Sequence, residues 1–256
     1  MNTRNIAIIA HVDHGKTTLV DCLLRQSGQF HNNEKVIDRV MDSNALEKER
    51  GITILSKCTS IDWKNIRINI VDTPGHADFG GEVERILNMV DGVMLLVDAA
   101  EGPMPQTKFV LTKALNQNLN PIVLINKVDR SDQRATEVLN DIFDLFIALD
   151  ANDKQLDFPV LYSSAKNGWA SNDPDTTGQD MEVLLEKIVG HIPPPDADPN
   201  GPLKMLVTSL ERDPYLGRVL TGRINSGSIQ TNQKVKSIDR TGKLVEKTRI
   251  TKLLNF

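Results

Sequence analysis

The chain has 256 residues, enough for one large domain or a medium domain with part of a second. Lys and Arg total 30 against 34 Asp and Glu, a net charge of −4, which excludes a uniformly basic nucleic-acid coat protein and leaves any RNA contact to a local patch. Two cysteines, Cys22 and Cys58, are too few for a disulfide framework, and no apolar run approaches the length that spans a bilayer, so a soluble cytoplasmic protein is expected; it is further expected to be a monomer with no DNA or membrane partner.

In chain order, the aliphatic runs "NIAIIA" (5–10), "IRINIVD" (66–72), "GVMLLVD" (92–98), "NPIVLINK" (120–127) and "FPVLYSS" (158–164) read as strands of a parallel sheet covered on both faces. Between and after them, "TTLVDCLLRQ", "GGEVERILNMV", "TKFVLTKALNQ", "ATEVLNDIFDLFIAL" and "DMEVLLEKIVGHI" read as helices. In the fourth of these, Val138, Ile142, Leu145, Phe146 and Leu149 form one apolar stripe. The repeating βα pattern predicts a doubly wound α/β domain over residues 1–195. A Pro, Asp and Gly-rich linker follows at 196–202, within "HIPPPDADPNGP". From Leu203, short strand-like segments separated by turns predict the start of an antiparallel β-domain over 203–256, and Phe256 falls in mid-strand, which suggests a truncated β-barrel.

"AHVDHGKTTL" (10–19) joins the first strand to the first helix. His11, Asp13 and His14 could ligate a metal, as in a metal-dependent hydrolase. In a phosphate-loop reading, Gly15 lets the backbone approach phosphate, Lys16 reaches the β and γ oxygens, Thr17 binds Mg²⁺, and the helix N-terminus with Thr18 supplies donors. The later motifs favour the second reading. "DTPGH" (72–76) ends a strand, where Asp72 can hold Mg²⁺ through water and the Gly75 amide can meet a γ-phosphate. His76 is either a solvated loop residue or the neighbour of an attacking water. "NKVD" (126–129) ends another strand: the Asp129 carboxylate can accept from the adjacent N1–H and N2–H₂ donors of guanine, Asn126 can bond the base or brace the loop, and the Lys127 stem can pack on the ring. "SSAK" (163–166) offers the backbone of Ser164, Ala165 and Lys166 to the guanine O6. In "MDSNALEKERGITI" (41–54), Thr53 is a second hydroxyl for Mg²⁺ that depends on the γ-phosphate, while Glu47, Lys48 and Glu49 read equally as a plain charged helix end.

With these motifs in order, the strings "LVDCLLRQSGQF", "HADFGGEVERIL", "SSAKNGWA" and "LERDPYLGRVLTGRI" closely resemble the BipA (TypA) family of ribosome-associated translational GTPases; elongation factor G and LepA are the neighbouring alternatives. The resemblance implies a P-loop GTPase domain followed by an elongation-factor-like β-barrel. It implies GTP and GDP as substrate and product, Mg²⁺, the ribosome and ribosomal RNA as partners, and a role in stress adaptation and ribosome assembly. It also implies that His76 positions the attacking water, that Val12 and Ile52 form a hydrophobic gate beside it, and that Asp13 helps hold a monovalent cation. A guanine-nucleotide switch acting through partner binding is a further alternative. Seven basic residues lie between Lys234 and Lys252, with Asp239 and Glu246 among them; the segment is read either as an RNA-contacting face or as an ordinary solvated sheet surface.

Overall fold

The structure is a computed structural model that describes residues 2–27, 58–73 and 80–254. It divides into two compact units, residues 1–195 and 196–256.

The first unit is built on a seven-stranded sheet. Its strands are β1 (Asn2–Ala10), β2 (Cys58–Trp63), β3 (Ile66–Asp72), β4 (Gly92–Asp98), β5 (Asn120–Asn126), β6 (Val160–Ser164) and β7 (Trp169–Ser171), in the order β2-β3-β1-β4-β5-β6-β7. The five central strands run parallel, and the edge strands β2 and β7 are antiparallel to their neighbours. All seven residues of β4 are buried, as a strand covered on both sides requires.

The helices are α1 (Lys16–Gln26), α2 (Gly80–Leu87), α3 (Pro105–Asn116), α4 (Ala135–Ala148), the single turn α5 (Asp153–Leu156) and α6 (Glu182–His191). Alternate strand residues separate two cores. On one face Ile9, Leu95, Val97, Val123 and Ile125 meet α2, α3 and α4 through residues such as Val83, Leu111 and Phe146. On the other, Ile8, Met94, Leu96 and Leu124 meet α1 and α6 through Leu19, Leu23, Leu184 and Ile188. The stripe predicted on α4 is present, with Val138, Ile142 and Phe146 fully buried and Leu145 and Leu149 packed at its margin. Because β1 lies between β3 and β4, the chain leaves it first toward one side of the sheet and later toward the other. The carboxyl ends of these strands therefore flank a crevice.

The second unit contains two antiparallel hairpins, β8 (Lys204–Asp213) with β9 (Gly217–Ser226) and β10 (Lys234–Ile238) with β11 (Leu244–Arg249), in two separate sheets. These are barrel-type strands without closure among the described residues. None of the described residues in this unit is fully buried.

Candidate nucleotide site

The loop between β1 and α1 is shaped by two left-handed residues, Asp13 at φ 66° and Gly15 at φ 96°. At Gly15 only glycine fits, because a Cβ there would stand 2.5 Å from Asn126 Nδ2 and would also be strained at that φ. Gly15 is the N-cap of α1 and no side chain caps the helix, so the first-turn amides of Lys16, Thr17 and Thr18 lack a side-chain acceptor. That is the geometry of an anion cradle at a helix N-terminus, here joined to a lysine and a buried acid.

Lys16 Nζ is ion-paired with Asp72 at the end of β3 and donates to the Thr73 carbonyl at 2.6 Å. Asp72 is 2% exposed, and Thr73 Oγ1 donates to the Ile8 carbonyl, fixing the end of β3 against β1. Lys16, expected to reach phosphate, and Asp72, expected to hold Mg²⁺, thus meet at one spot. His11 and His14 pack edge to face with centroids 5.2 Å apart, and among the described residues no three His, Cys, Asp or Glu side chains gather as a metal cluster. The metal-hydrolase reading has no ligand set there.

His14 is a buried strut. Its Nδ1 is 3.4 Å from both the Leu96 carbonyl and the Asp98 amide, and its Nε2 is 3.3 Å from a Glu101 carboxylate oxygen. Burial, aided by His11, pushes the imidazole below its ordinary pKa against the opposing pull of the Leu96 carbonyl and the Glu101 and Asp98 carboxylates.

The end of β5 and the loop after β6 are tied to the loop between β1 and α1. Asn126 Nδ2 donates to the His14 carbonyl at 2.9 Å, while Asn126 Oδ1 accepts from Ser163 Oγ at 3.1 Å and from the Ala165 amide at 3.0 Å. Of the two roles open to Asn126 in the sequence, the structure shows bracing. The Ala165 amide, expected to face a guanine O6, is engaged with this asparagine instead. Lys166 is exposed, and Val12 is partly exposed within the β1–α1 loop.

Lys127, at φ 65°, donates from Nζ to the Asp13 carbonyl at 2.7 Å and pairs with Asp98 Oδ2 at 2.7 Å. Sequence reasoning passed over Asp98, the last residue of β4 and wholly buried. Burial works against its charge, but Lys127 and the Ala100 and Glu101 amides hold the carboxyl below the usual carboxylate range. A carboxylate ending an aliphatic run was the available signal. Asn167 was also missed: its Nδ2 donates to Asp129 Oδ2 at 3.1 Å and to Ser164 Oγ at 2.9 Å. Thr53, Ile52, Gly75 and His76 lie outside the described residues.

Residues 1–194 match the elongation factor Tu GTP binding domain family. The chain belongs to that family. Residues 1–194, which carry the crevice, are thus a GTP binding domain. Over 253 residues the chain is 57% identical to the large ribosomal subunit assembly factor BipA of Bacillus subtilis, covering 99% of this chain and 41% of the relative. It is 59% identical over 242 residues to BipA of Salmonella typhimurium, covering 94% and 40%. The chain therefore spans about two fifths of the length of these curated relatives. A bacterial selenocysteine-specific elongation factor is 26% identical, with a TM-score of 0.69 over 98% of this chain and 41% of that one. No helix among the described residues is long and apolar enough to cross a membrane.

Proposed function

We propose that this chain binds GTP with Mg²⁺ and hydrolyses it to GDP on the ribosome, as a BipA-type factor acting in large-subunit assembly in the cytoplasm. The observation that carries the reading is the convergence of Lys16, Asp72, Asn126 and Lys127 around one loop, in a chain whose sequence is 57–59% identical to BipA proteins. Lys16 and the α1 amides bind the β and γ phosphates, and Asp129 accepts from guanine. Thr17, Thr53 and Asp72 are the oxygen donors for Mg²⁺, which neutralises phosphate charge when bound. Asp13 would help hold a monovalent cation near the β and γ phosphates. Gly75 binds the γ-phosphate, His76 positions the attacking water, and Val12 and Ile52 keep that histidine away from it until the ribosome orders the site. Acid–base and water-positioning groups of this kind contribute about a hundredfold or more. Wild-type GTP turnover is therefore expected to accelerate when ribosomes are added, and His76→Ala to bind nucleotide normally while losing about a hundredfold of the accelerated rate. A wild-type rate indifferent to ribosomes would favour a switch that works by partner binding.

The second unit supports contact with ribosomal RNA. In the β10–β11 register Lys234 stands opposite Arg249 and Lys236 opposite Lys247, and directly opposed residues share a face. Four exposed cations therefore crowd one side of the hairpin, where like charges in direct opposition destabilise the sheet unless an anion lies across them. Glu246 belongs to the other side and pairs with Arg218 at 3.0 Å. Arg240 and Lys243 lie between the two strands and Lys252 lies beyond β11, so the sequence-level patch of seven narrows to these four. Removing two of them with Lys236→Gln and Lys247→Gln is expected to reduce the salt dependence of ribosome binding by about two units of log–log slope. An unchanged slope would make the face an ordinary solvated surface.

A further inference from the structure

We propose that Asn167 is a positioning residue for guanine selectivity, acting through Asp129. The proposal rests on the reading of Asp129 as the acceptor for the guanine edge and adds the group that orients it. Asp129 is exposed at the end of the base-side loop, where a free carboxylate would rotate about its last torsion. Asn167 is the described side chain that donates to it, using one amide hydrogen on Asp129 Oδ2 at 3.1 Å and the other on Ser164 Oγ at 2.9 Å. Ser164 is 1% exposed at the end of β6, so the amide links an exposed carboxylate to a fixed point of the sheet.

Asn167 is itself held in place. Its backbone N–H donates to the Ser164 carbonyl at 3.1 Å, and the Gly168 N–H donates to the same carbonyl at 2.8 Å. The Gly168 carbonyl in turn accepts from Gln26 Nε2 at 2.7 Å, while Gln26 Oε1 accepts from the Met181 amide at 2.8 Å. The turn that carries Asn167 is thereby anchored to the last residue of α1 and to the residue before α6. Each carboxylate oxygen has two lone pairs, so Asp129 Oδ2 can keep the Asn167 bond and still accept from a base.

Orientation matters most for a ligand that donates twice. Guanine presents N1–H and N2–H₂ to a carboxylate, and both bonds form only if the carboxylate plane matches the base edge. Hypoxanthine presents N1–H alone, and a rotating carboxylate can still meet one donor. Losing Asn167 therefore lowers affinity for the two-donor base more than for the one-donor base. A merely structural role in the loop would weaken both equally.

The test is the affinity of the full 256-residue chain for GDP and for inosine diphosphate, measured with Mg²⁺ by competition against a fluorescent nucleotide. Wild type is expected to prefer GDP, and Asn167→Ala to reduce that preference by about three- to tenfold, the cost of ordering one side chain on binding. In an Asp129→Ala background, Asn167→Ala is expected to leave the ratio unchanged, because the group it orients is gone. A wild type that binds the two diphosphates alike would remove the Asp129 reading and this proposal with it. A selective wild type whose preference survives Asn167→Ala, or whose two affinities fall in parallel, would overturn the role of Asn167 alone.

Discussion

Asp129→Asn is expected to convert guanine preference into xanthine preference. The aspartate offers two acceptor oxygens and no donor, which suits the N1–H and N2–H₂ groups of guanine. An asparagine of the same shape presents one acceptor and one NH₂ group. The NH₂ faces the N2 amino group of guanine donor to donor, but it can donate to the 2-carbonyl of xanthine. Hydrogen bonds to a charged partner are each worth about 1.5–3 kcal/mol, and a site that leaves a polar group unmatched discriminates strongly. GDP affinity is expected to fall by about a hundredfold or more, while affinity for xanthosine diphosphate rises. Because Asp129 is exposed, the melting temperature should hardly change, which separates lost recognition from lost folding. Competition binding with both diphosphates checks the result, and a variant that loses GDP without gaining the xanthine nucleotide would show that Asp129 does not read the base edge.

Lys127→Met is expected to harm stability and nucleotide binding together. Asp98 is 0% exposed, and its Oδ2 is 2.7 Å from Lys127 Nζ, with Arg130 more distant at 3.7 Å. Removing one member of a buried pair leaves an uncompensated charge at a cost of about 3–5 kcal/mol. Lys127 retains 28% exposure and the Arg130 guanidinium remains, so the lower half of that range is expected, a melting-temperature loss of roughly 5–15 °C. In the wild type, the Asp98 carboxyl is held below its unfolded value. It therefore stabilises the fold above the ordinary carboxylate range, and this contribution is lost as pH falls through the folded pKa. Without Lys127, burial dominates and the carboxyl moves up, so the variant's deficit is largest near neutral pH and narrows on acidification. Thermal melts across pH test both sign and size; a deficit that does not depend on pH would remove Asp98 from the explanation.

The aliphatic strands were legible because a strand buried on both faces has little choice of residue. Gly92–Asp98 and Asn120–Asn126 are nearly unbroken apolar runs. Strand β2 was not legible. "CTSIDW" alternates weakly, and its identity comes from antiparallel pairing with β3 at an edge of the sheet. The three-residue β7 and the single turn α5, held by an Asn152–Gln155 capping box, are too short for any period to show. Helix α2 ends at Leu87, short of the predicted Val90, as Met89 donates to the Ile86 carbonyl in a tighter turn.

The site divides in the same way. Gly15, Lys16, Asp72, Asn126 and Asp129 announce themselves through motif spacing, which is a local property. Asp98 and Asn167 do not, because what they do depends on which distant group reaches them. Lys127 comes from just beyond the following strand of the chain, and Asp129 lies 38 residues before its amide partner. Long-range partners of this kind leave no period or short motif in the chain.

The Asn126 side chain fills the space in which a Cβ on Gly15 would stand, and its two ends hold the His14 carbonyl and the Ala165 amide. Mechanically, the β1–α1 loop and the loop after β6 are one jaw. In the proposed site, a disturbance that loosened either loop would pass through one asparagine to the other, so the two halves of a bound nucleotide would be released in concert and the rate of product escape would become a property of that joint.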